Sequence, residues 1–589
     1  MRKKILQRPN LSNSVLVGLP GFLNRIYTAR GVQSATELEL SLNQLHRSET
    51  IKGLDKAVSL LLDALSNGQK ILIVGDFDCD GATSTALAML VLKTLKADCQ
   101  FLVPNRFEYG YGLTPEIVDL AAKENPHLIV TVDNGISSID GVRRAKQLGI
   151  KVLITDHHLP GDKLPEADAI VNPNQPGCAF QSKNAAGVGV IFYVMSGLRA
   201  KLRELDWFQQ NGIPEFNMAS YLDLLALGTV ADLVPLDMNN RILVEQGLRR
   251  IRAGKCRPGI KALLKQAGKE VEQINASDMG FIVGPRLNAA GRLDDMSLGI
   301  NCLLTDSKNE AELLAKKLDH LNQERKDIEH EMKLDAESQL DTFFKDFENN
   351  SLSNSLDGNQ VWGLCLYQPH WHQGVIGILA SRIKEKLNRP TIIFAPANDD
   401  PEEDNPILKG SARSIPGLHM RDTLDLLAKR YPQLLSKFGG HAMAAGMSIE
   451  FNNLEAFTDA FNAIVKEALT ESDLESVLLT DGELSSEDRT LENIALLERS
   501  GPWGQAFPEP SFDGVFNVLQ QRVLKEKHLK LVLSDEFGTQ FVDAIHFNSG
   551  WCHETLPNKV RIVYRPNINE FRGKRSIQFF IDYLEKVAE

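Results

Sequence analysis

Apolar residues gather early in the chain into four short runs: Ile71 to Val74, Phe101 to Val103, Leu128 to Val132 and Val152 to Thr155. Stretches of helical spacing separate them, such as Thr83 to Ala97. Another opens at Thr114-Pro115, an N-cap residue followed by proline at the first helical position. Strands and helices alternating at this interval predict a parallel sheet with helices on its faces. An Ala- and Leu-rich helical region continues to about residue 265. Ser307 to Asn350 then lacks both Gly and Pro and places Leu314, Leu318, Leu321, Ile328, Met332, Phe343 and Phe347 mostly at helical spacing. One helix of that length would measure about 60 Å, longer than a domain is wide, so it predicts a connector.

Asn349 to Asn359, rich in Ser, Asn and Asp, predicts the loop at which a second domain opens. That domain would hold a strand at Val361 to Tyr367, a helix after Gly374, an acidic surface loop at Asp399 to Asp404 and a Gly-rich turn at Phe438 to Gly446. Short β-type runs follow at Leu529 to Leu533, Phe541 to Phe547, Val560 to Tyr564 and Ser576 to Ile581, predicting a small barrel or sandwich. The predicted class is α/β: a parallel-sheet domain joined by a long helix to a second α/β domain, then a small β-barrel. The segments expected are residues 1–50, 51–305, 306–350, 351–470 and 471–589, with no internal repeat.

Composition narrows the setting. No stretch approaches the ~18 continuous apolar residues of a membrane span. The segment after the basic start contains Gln7, Arg8, Asn10, Ser12, Asn13 and Ser14, too polar for a signal-peptide core. Seven cysteines without CxxC pairs predict neither a zinc site nor a disulfide framework, and fit a reducing cytoplasm. The net charge of -12 excludes a protein that coats nucleic acid by charge alone. An enzyme with a local positive groove stays open, because clustered metal-binding carboxylates also push the total negative.

The candidate chemistry lies at the ends of the predicted strands. Gly75-Asp76-Phe77-Asp78-Cys79-Asp80-Gly81 follows the first, Asp133-Asn134-Gly135 follows Leu128 to Val132, and Asp156-His157-His158 follows Val152 to Thr155. A lone Asp-x-Asp is more often a solvated turn. Three alternating acids between glycines repel one another unless a cation sits among them. Ligands collect at the carboxyl ends of strands in open α/β sheets, so these groups would converge on one rim. Asp232, in Gly228-Thr229-Val230-Ala231-Asp232, is a fourth candidate. Carboxylates mixed with imidazole suit Mn²⁺ or Mg²⁺, and two such ions ~3.5–4 Å apart can stabilise both oxygens of an in-line displacement at phosphorus.

These motifs resemble those of the DHH phosphoesterase superfamily. Gly284-Pro285-Arg286-Leu287-Asn288-Ala289-Ala290-Gly291-Arg292, which reads as a small-residue loop, the run from Trp371 to Arg382, and Phe438-Gly439-Gly440-His441 resemble its RecJ exonucleases, the last lying in the DHHA1 domain. Gly501-Pro502-Trp503-Gly504 likewise resembles that family's approach to its C-terminal barrel. The resemblance implies a two-ion site with Asp76, Asp78, Asp133, His157 and Asp232 as ligands, Asp78 and Asp133 bridging. Asp80, Asp156 and His158 would complete the catalytic set. It further implies that Arg106, Tyr109, Tyr111, Arg286, Asn288, Arg292, Gln323, His372, Ser381, Arg382, Arg413, Gly439, Gly440 and His441 hold nucleic acid, with Asn322 and Arg325 lining the strand's path. In the oligonucleotide-binding-like barrel, Tyr564, Arg565, Phe571, Arg572, Lys574, Arg575 and Phe579 interleave aromatics with cations. The implied activity is 5′→3′ hydrolysis of single-stranded DNA to mononucleotides, in DNA repair and recombination. The enzyme would be monomeric and cytoplasmic, served by a helicase and a single-strand-binding protein. Two rivals remain: a phosphodiesterase for short RNA or cyclic dinucleotides, which would not need the barrel, and a non-catalytic replication scaffold, which would not need every ligand.

Overall fold

The computed structural model describes residues 3–12, 15–350, 361–397, 405–435 and 437–587. The expected loop at 351–359 and the acidic loop at 399–404 lie outside the described residues. The chain divides into two compact units, one of residues 7–322 with 479–589 and one centred on residues 323–478.

In the first unit, strands β1 (Ile71–Gly75), β2 (Cys99–Leu102), β3 (Leu128–Val132), β4 (Lys151–Thr155) and β5 (Ala169–Val171) form a parallel sheet in the order β2-β1-β3-β4-β5. The predicted runs are there, and β5 adds a strand too short to stand out in the sequence. Alternate residues face opposite layers. Ile71, Ile73, Val130, Val132 and Leu153 pack into the main core, and Leu72, Val74, Ile129, Val152 and Ile154 into a second. Both faces are covered, so the strands read as unbroken apolar runs.

Register aligns the strand ends: Gly75 sits opposite Val132, Val132 opposite Thr155 and Thr155 opposite Val171. The residues that follow these level positions are Asp76, Asp133, Asp156 and Asn172. Four helices pack around this rim: α1 (Cys79–Thr94), α2 (Gly187–Glu204), α3 (Leu222–Ala231) and α4 (Gly284–Leu293). The predicted N-cap at Thr114 is present, its side chain accepting from the Ile117 N–H at 3.3 Å. Helix α5 (Lys308–Asn350) is the long connector expected from the Gly- and Pro-free stretch.

The second unit has a mixed sheet. Strands β6 (Leu364–Tyr367) and β7 (Thr391–Pro396) pair in parallel, while β8 (Ile407–Arg413), β9 (Lys437–Gly440) and β10 (Ala444–Glu450) are antiparallel, in the order β9-β10-β8-β7-β6. Helix α6 (Ile376–Leu387) packs on one face, and α7 (Met420–Arg430) and α8 (Leu454–Ala468) on the other.

The C-terminal strands return to the first unit. β11 (Phe512–Leu524), β12 (His528–Ser534), β13 (Phe541–His546), β14 (Lys559–Phe571) and β15 (Lys574–Lys586) close into a barrel in the order β11-β12-β13-β15-β14. Here the sequence reading is corrected. Tyr564 and Phe579 stack at 3.9 Å inside the barrel, both fully buried, and are core residues. Arg565 is held by Asp582 and Glu509. Of that cluster only Phe571, Arg572, Lys574 and Arg575 are exposed, around the tip of the β14–β15 hairpin.

Candidate metal centre

The loop after β1 is shaped by its own acids. Asp78 caps α1, its Oδ1 accepting from the Gly81 N–H at 2.9 Å. A Cβ at Gly81 would lie 2.5 Å from the Asp76 carbonyl oxygen, so the glycine of Asp-x-Asp-x-Asp-Gly is a steric requirement. Asp133 follows β3 with φ +63, in the left-handed region that aspartate tolerates better than most residues. A Cβ at Gly187 would lie 2.7 Å from the Asp133 carboxylate, which fixes a second glycine at the start of α2. Asp232 is the C-cap of α3.

Three donor groups lie on this rim, each with its ligand atoms within 4.8 Å of one another: Asp76 with Asp78 and Asp133, Asp133 with His157 and His158, and Asp80 with His157 and Asp232. His157 Nε2 is 3.1 Å from Asp133 Oδ1, 3.5 Å from Asp232 Oδ2 and 4.0 Å from Asp80 Oδ2. Asp133 Oδ1 and Asp232 Oδ2 are buried carboxylate oxygens that accept no hydrogen bond among the described residues. Burying carboxylates this way is expensive unless a cation compensates them. The oxygen and imidazole donors fit a hard divalent ion such as Mn²⁺ or Mg²⁺.

The protonation of the cluster agrees. Burial, together with the charges of neighbouring acids, pushes the Asp133 and Asp232 carboxyls well above the usual range. Burial and Asp78 push Asp80 up to about 7. The sign of the pH effect follows. Without ions, these carboxyls keep protons that the unfolded chain releases near 3.8, so stability falls as pH rises from there toward the raised values. Binding a divalent ion must displace those protons, so Mn²⁺ affinity is expected to weaken as pH falls. Calorimetric titration with MnCl₂ in buffers of different ionisation heat should show protons released on binding. Binding with no proton release would place the ion elsewhere.

Two residues expected in the catalytic set have their oxygens committed to protein N–H groups. Asp80 is fully buried, and its two oxygens accept from the Gly187 and Val188 N–H groups at 2.6 and 3.0 Å, tying α1 to the start of α2. Asp156 accepts from the N–H groups of Ile136, His157 and His158 at 2.9, 2.7 and 3.1 Å, and pairs with His158 Nδ1 at 2.7 Å. Burial alone would lower the His158 pKa, but the Asp156 hydrogen bond and charge, aided by Asp76 and Asp78, lift it to about 8. The Tyr111 hydroxyl lies 3.2 Å from His158 Nδ1 and donates to the Asp133 carbonyl at 3.4 Å, with the ring edge-on to Phe77. Tyr111 therefore borders the metal centre, whereas Tyr109 is half-buried against the outer helical layer. The Arg106 side chain lies outside the described residues.

Gly284 to Arg292, expected as a loop, lies in helix α4, preceded by a π-helical turn at Met279–Val283. Helix α4 braces the acidic loop. Asn288 Oδ1 accepts from the Cys79 N–H at 2.7 Å, and a Cβ at Gly291 would meet the Phe77 carbonyl oxygen at 1.8 Å. Arg292, one turn on, is half-buried, and Arg286 is paired with Asp319. Sequence reasoning missed Asn172 and Asn174, whose amides donate to the His158 and His157 carbonyls at 2.9 and 2.6 Å. Neighbouring asparagines after a three-residue strand gave no signal beyond an ordinary turn.

The second unit holds the remaining expected residues. Gln323 bonds Asp327, Ser381 Oγ bonds the Gly377 carbonyl at 3.2 Å and Arg382 pairs with Glu329. Burial lowers the pKa of Arg413, whose guanidinium donates to Ser411 Oγ and the Ala412 carbonyl. His372 lines a cavity of about 460 Å³ with Ile328, Glu331, Met332, Asp335 and His370. Gly439 and Gly440 end β9, and the His441 N–H closes the turn on the Ala444 carbonyl at 2.8 Å.

Comparison with known proteins agrees with this architecture. The DHH family, N-terminal domain matches residues 70–229, the DHHA1 domain residues 359–467 and the RecJ OB domain residues 480–583. The single-stranded-DNA-specific exonuclease RecJ of Salmonella typhimurium is 53% identical over 568 residues, covering 96% of each chain. The crystal structure of RecJ in complex with Mn²⁺ from Thermus thermophilus superposes with a TM-score of 0.76 at 27% identity, covering 100% of this chain and 80% of that one. The Mg²⁺ complex from the same organism gives 0.70 at 25% identity, covering 100% of this chain and 78% of that one.

Proposed function

The chain belongs to the RecJ family of single-stranded-DNA-specific exonucleases, and from that premise we propose how its residues perform the hydrolysis. It is a metal-dependent nuclease of the DHH phosphoesterase type. The observation that carries the reading is the level rim of Asp76, Asp133 and Asp156, where carboxylates and His157 meet within ion-binding distance.

Asp76, Asp78, Asp133, His157 and Asp232 would hold the divalent ions, and Asp133 belongs to two of the donor groups. Such ions polarise a phosphoryl oxygen and lower the pKa of water, which supplies a nucleophile at neutral pH. Asp156 hydrogen-bonds the His158 ring and fixes its orientation at the site, where His158 would give a proton to the oxygen that leaves phosphorus. Asp80 acts through geometry, holding the start of α2 against the acidic loop. Arg286 and Arg382 bind backbone phosphates, as arginine's fork suits.

The direction is 5′→3′ with release of mononucleotides, in DNA repair and recombination. The enzyme works as a cytoplasmic monomer, with a helicase and a single-strand-binding protein supplying its substrate. No helix among the described residues is long and apolar enough to cross a membrane. The barrel and its RecJ OB match favour a long strand over a dinucleotide. The test compares one DNA strand labelled at its 5′ or 3′ end, a blunt duplex of the same sequence and a dinucleotide. The 5′ label should leave first as a mononucleotide, with the duplex and dinucleotide cut far more slowly. Early loss of the 3′ label would overturn the polarity, and equal cutting of the dinucleotide would favour the short-substrate reading.

A further inference from the structure

Resting on the reading of Arg286 and Arg382 as phosphate-binding groups, we infer that Asp319 and Glu329 of α5 are positioning residues that present those two guanidinium groups to the DNA strand. Each pair lies within its own unit. The Nε of Arg286 donates to Asp319 Oδ1 at 2.9 Å, its Nη2 lies 2.8 Å from the same oxygen, and its Nη1 donates to the Ile282 carbonyl at 2.8 Å. The Nε of Arg382 donates to Glu329 Oε1 at 3.1 Å, and its Nη1 is 3.9 Å from Glu385.

The common feature is the edge engaged. In both pairs the α5 carboxylate takes the Nε side of the guanidinium. Arginine carries five N–H donors, and a phosphate is gripped by two parallel ones. Each Nη carries two N–H groups, so after its contacts with Asp319 and the Ile282 carbonyl Arg286 keeps one on each Nη for a phosphate. Arg382, engaged at Nε, keeps its Nη1–Nη2 end. A carboxylate competing with DNA would instead occupy that end. Glu329 is also anchored: its second oxygen accepts from Arg325 Nη1, and Arg325 is only 8% exposed. Arg382 is 55% exposed at its side chain and would otherwise sample many rotamers, so holding it in advance reduces the ordering that binding must impose. Sequence reading gave these acids no role, because on a long polar helix they look like solvated surface.

The sign of one effect separates positioning from competition. Steady-state kinetics with the full chain, Mn²⁺ and a long 5′-phosphorylated single strand should show Asp319→Ala raising KM about tenfold while kcat changes less than about twofold. Glu329→Ala removes the Arg325–Glu329 ion pair and can disturb folding, so Glu329→Gln and Asp319→Glu serve as companions that keep an acceptor for Nε, and both should stay near the wild-type KM. Arg286→Ala should raise KM on its own, and adding Asp319→Ala to it should change nothing more. If Arg286→Ala raises KM but Asp319→Ala leaves it unchanged or lowers it, positioning is overturned while the phosphate reading stands. If neither Arg286→Ala nor Arg382→Ala moves KM, the phosphate reading fails and the inference falls with it.

Discussion

Asp133→Asn should lower kcat on single-stranded DNA by about 10³-fold or more, equivalent to roughly 4 kcal/mol of barrier. The side chain keeps its shape, so the loss reports charge. Asp133 belongs to two of the three donor groups and sits 3.1 Å from His157, so an amide there weakens both ion positions at once. A purely structural aspartate would behave oppositely in stability. Asp133 is 2% exposed, and burial among Asp80, Asp78, Asp232 and Asp76 pushes its carboxyl pKa well up. The ion-free variant should therefore melt at or above the wild-type temperature at pH 8, because one repelling charge is gone. Added Mn²⁺ should stabilise the variant less than the wild type. A variant that melts lower without ions, or that retains most of its turnover with Mn²⁺ supplied, would remove Asp133 from the metal centre.

That centre was legible in the sequence because its cost was visible there. Three alternating acids beside a strand, then Asp133 and Asp156-His157-His158 at the next strand ends, read in the sequence as mutual repulsion that a cation would relieve. The supports were harder to see because they act through the backbone. Asn288 braces the Cys79 N–H, Asn174 fixes the His157 carbonyl, and Gly187 and Gly228 make room for Asp133 and Asp80. Nothing in a single sequence separates such residues from ordinary caps and small packing residues.

The barrel shows the opposite limit. Its aromatics and cations alternate in sequence as a stacking platform would, yet period-2 alternation also describes a barrel wall with one face inward. Tyr564 and Phe579 took the inward face. Strand β11 went unpredicted because its register slips between Val518 and Gln520, which breaks the alternation that would announce it.

The second large effect concerns stability at the junction of the barrel with the N-terminal segment. Asp481→Ala is expected to destabilise the first unit by about 3–5 kcal/mol, the usual cost of removing one partner from a buried ion pair. Arg30 Nη1 and Nη2 donate to Asp481 Oδ1 and Oδ2 at 2.7 and 3.0 Å, and the two residues are 9% and 2% exposed. Two further Arg30 N–H groups reach the Pro508 and Ile26 carbonyls, and its guanidinium carbon lies 5.3 Å from the Trp503 ring centroid. Alanine at 481 strands that cation beneath the barrel and also removes the acceptor of the Ser511 N–H. Thermal melting should shift down by roughly 5 °C, with proteolysis near residues 480–511 appearing first. The double variant Arg30→Met, Asp481→Leu should recover part of the loss, since it removes both charges of the buried pair and leaves only the partly exposed Arg8, 3.9 Å from Asp481, without that partner. Losses that simply add in the double variant would show that the two residues stabilise separate contacts, and the ion pair would not be what joins the barrel to the N-terminal segment.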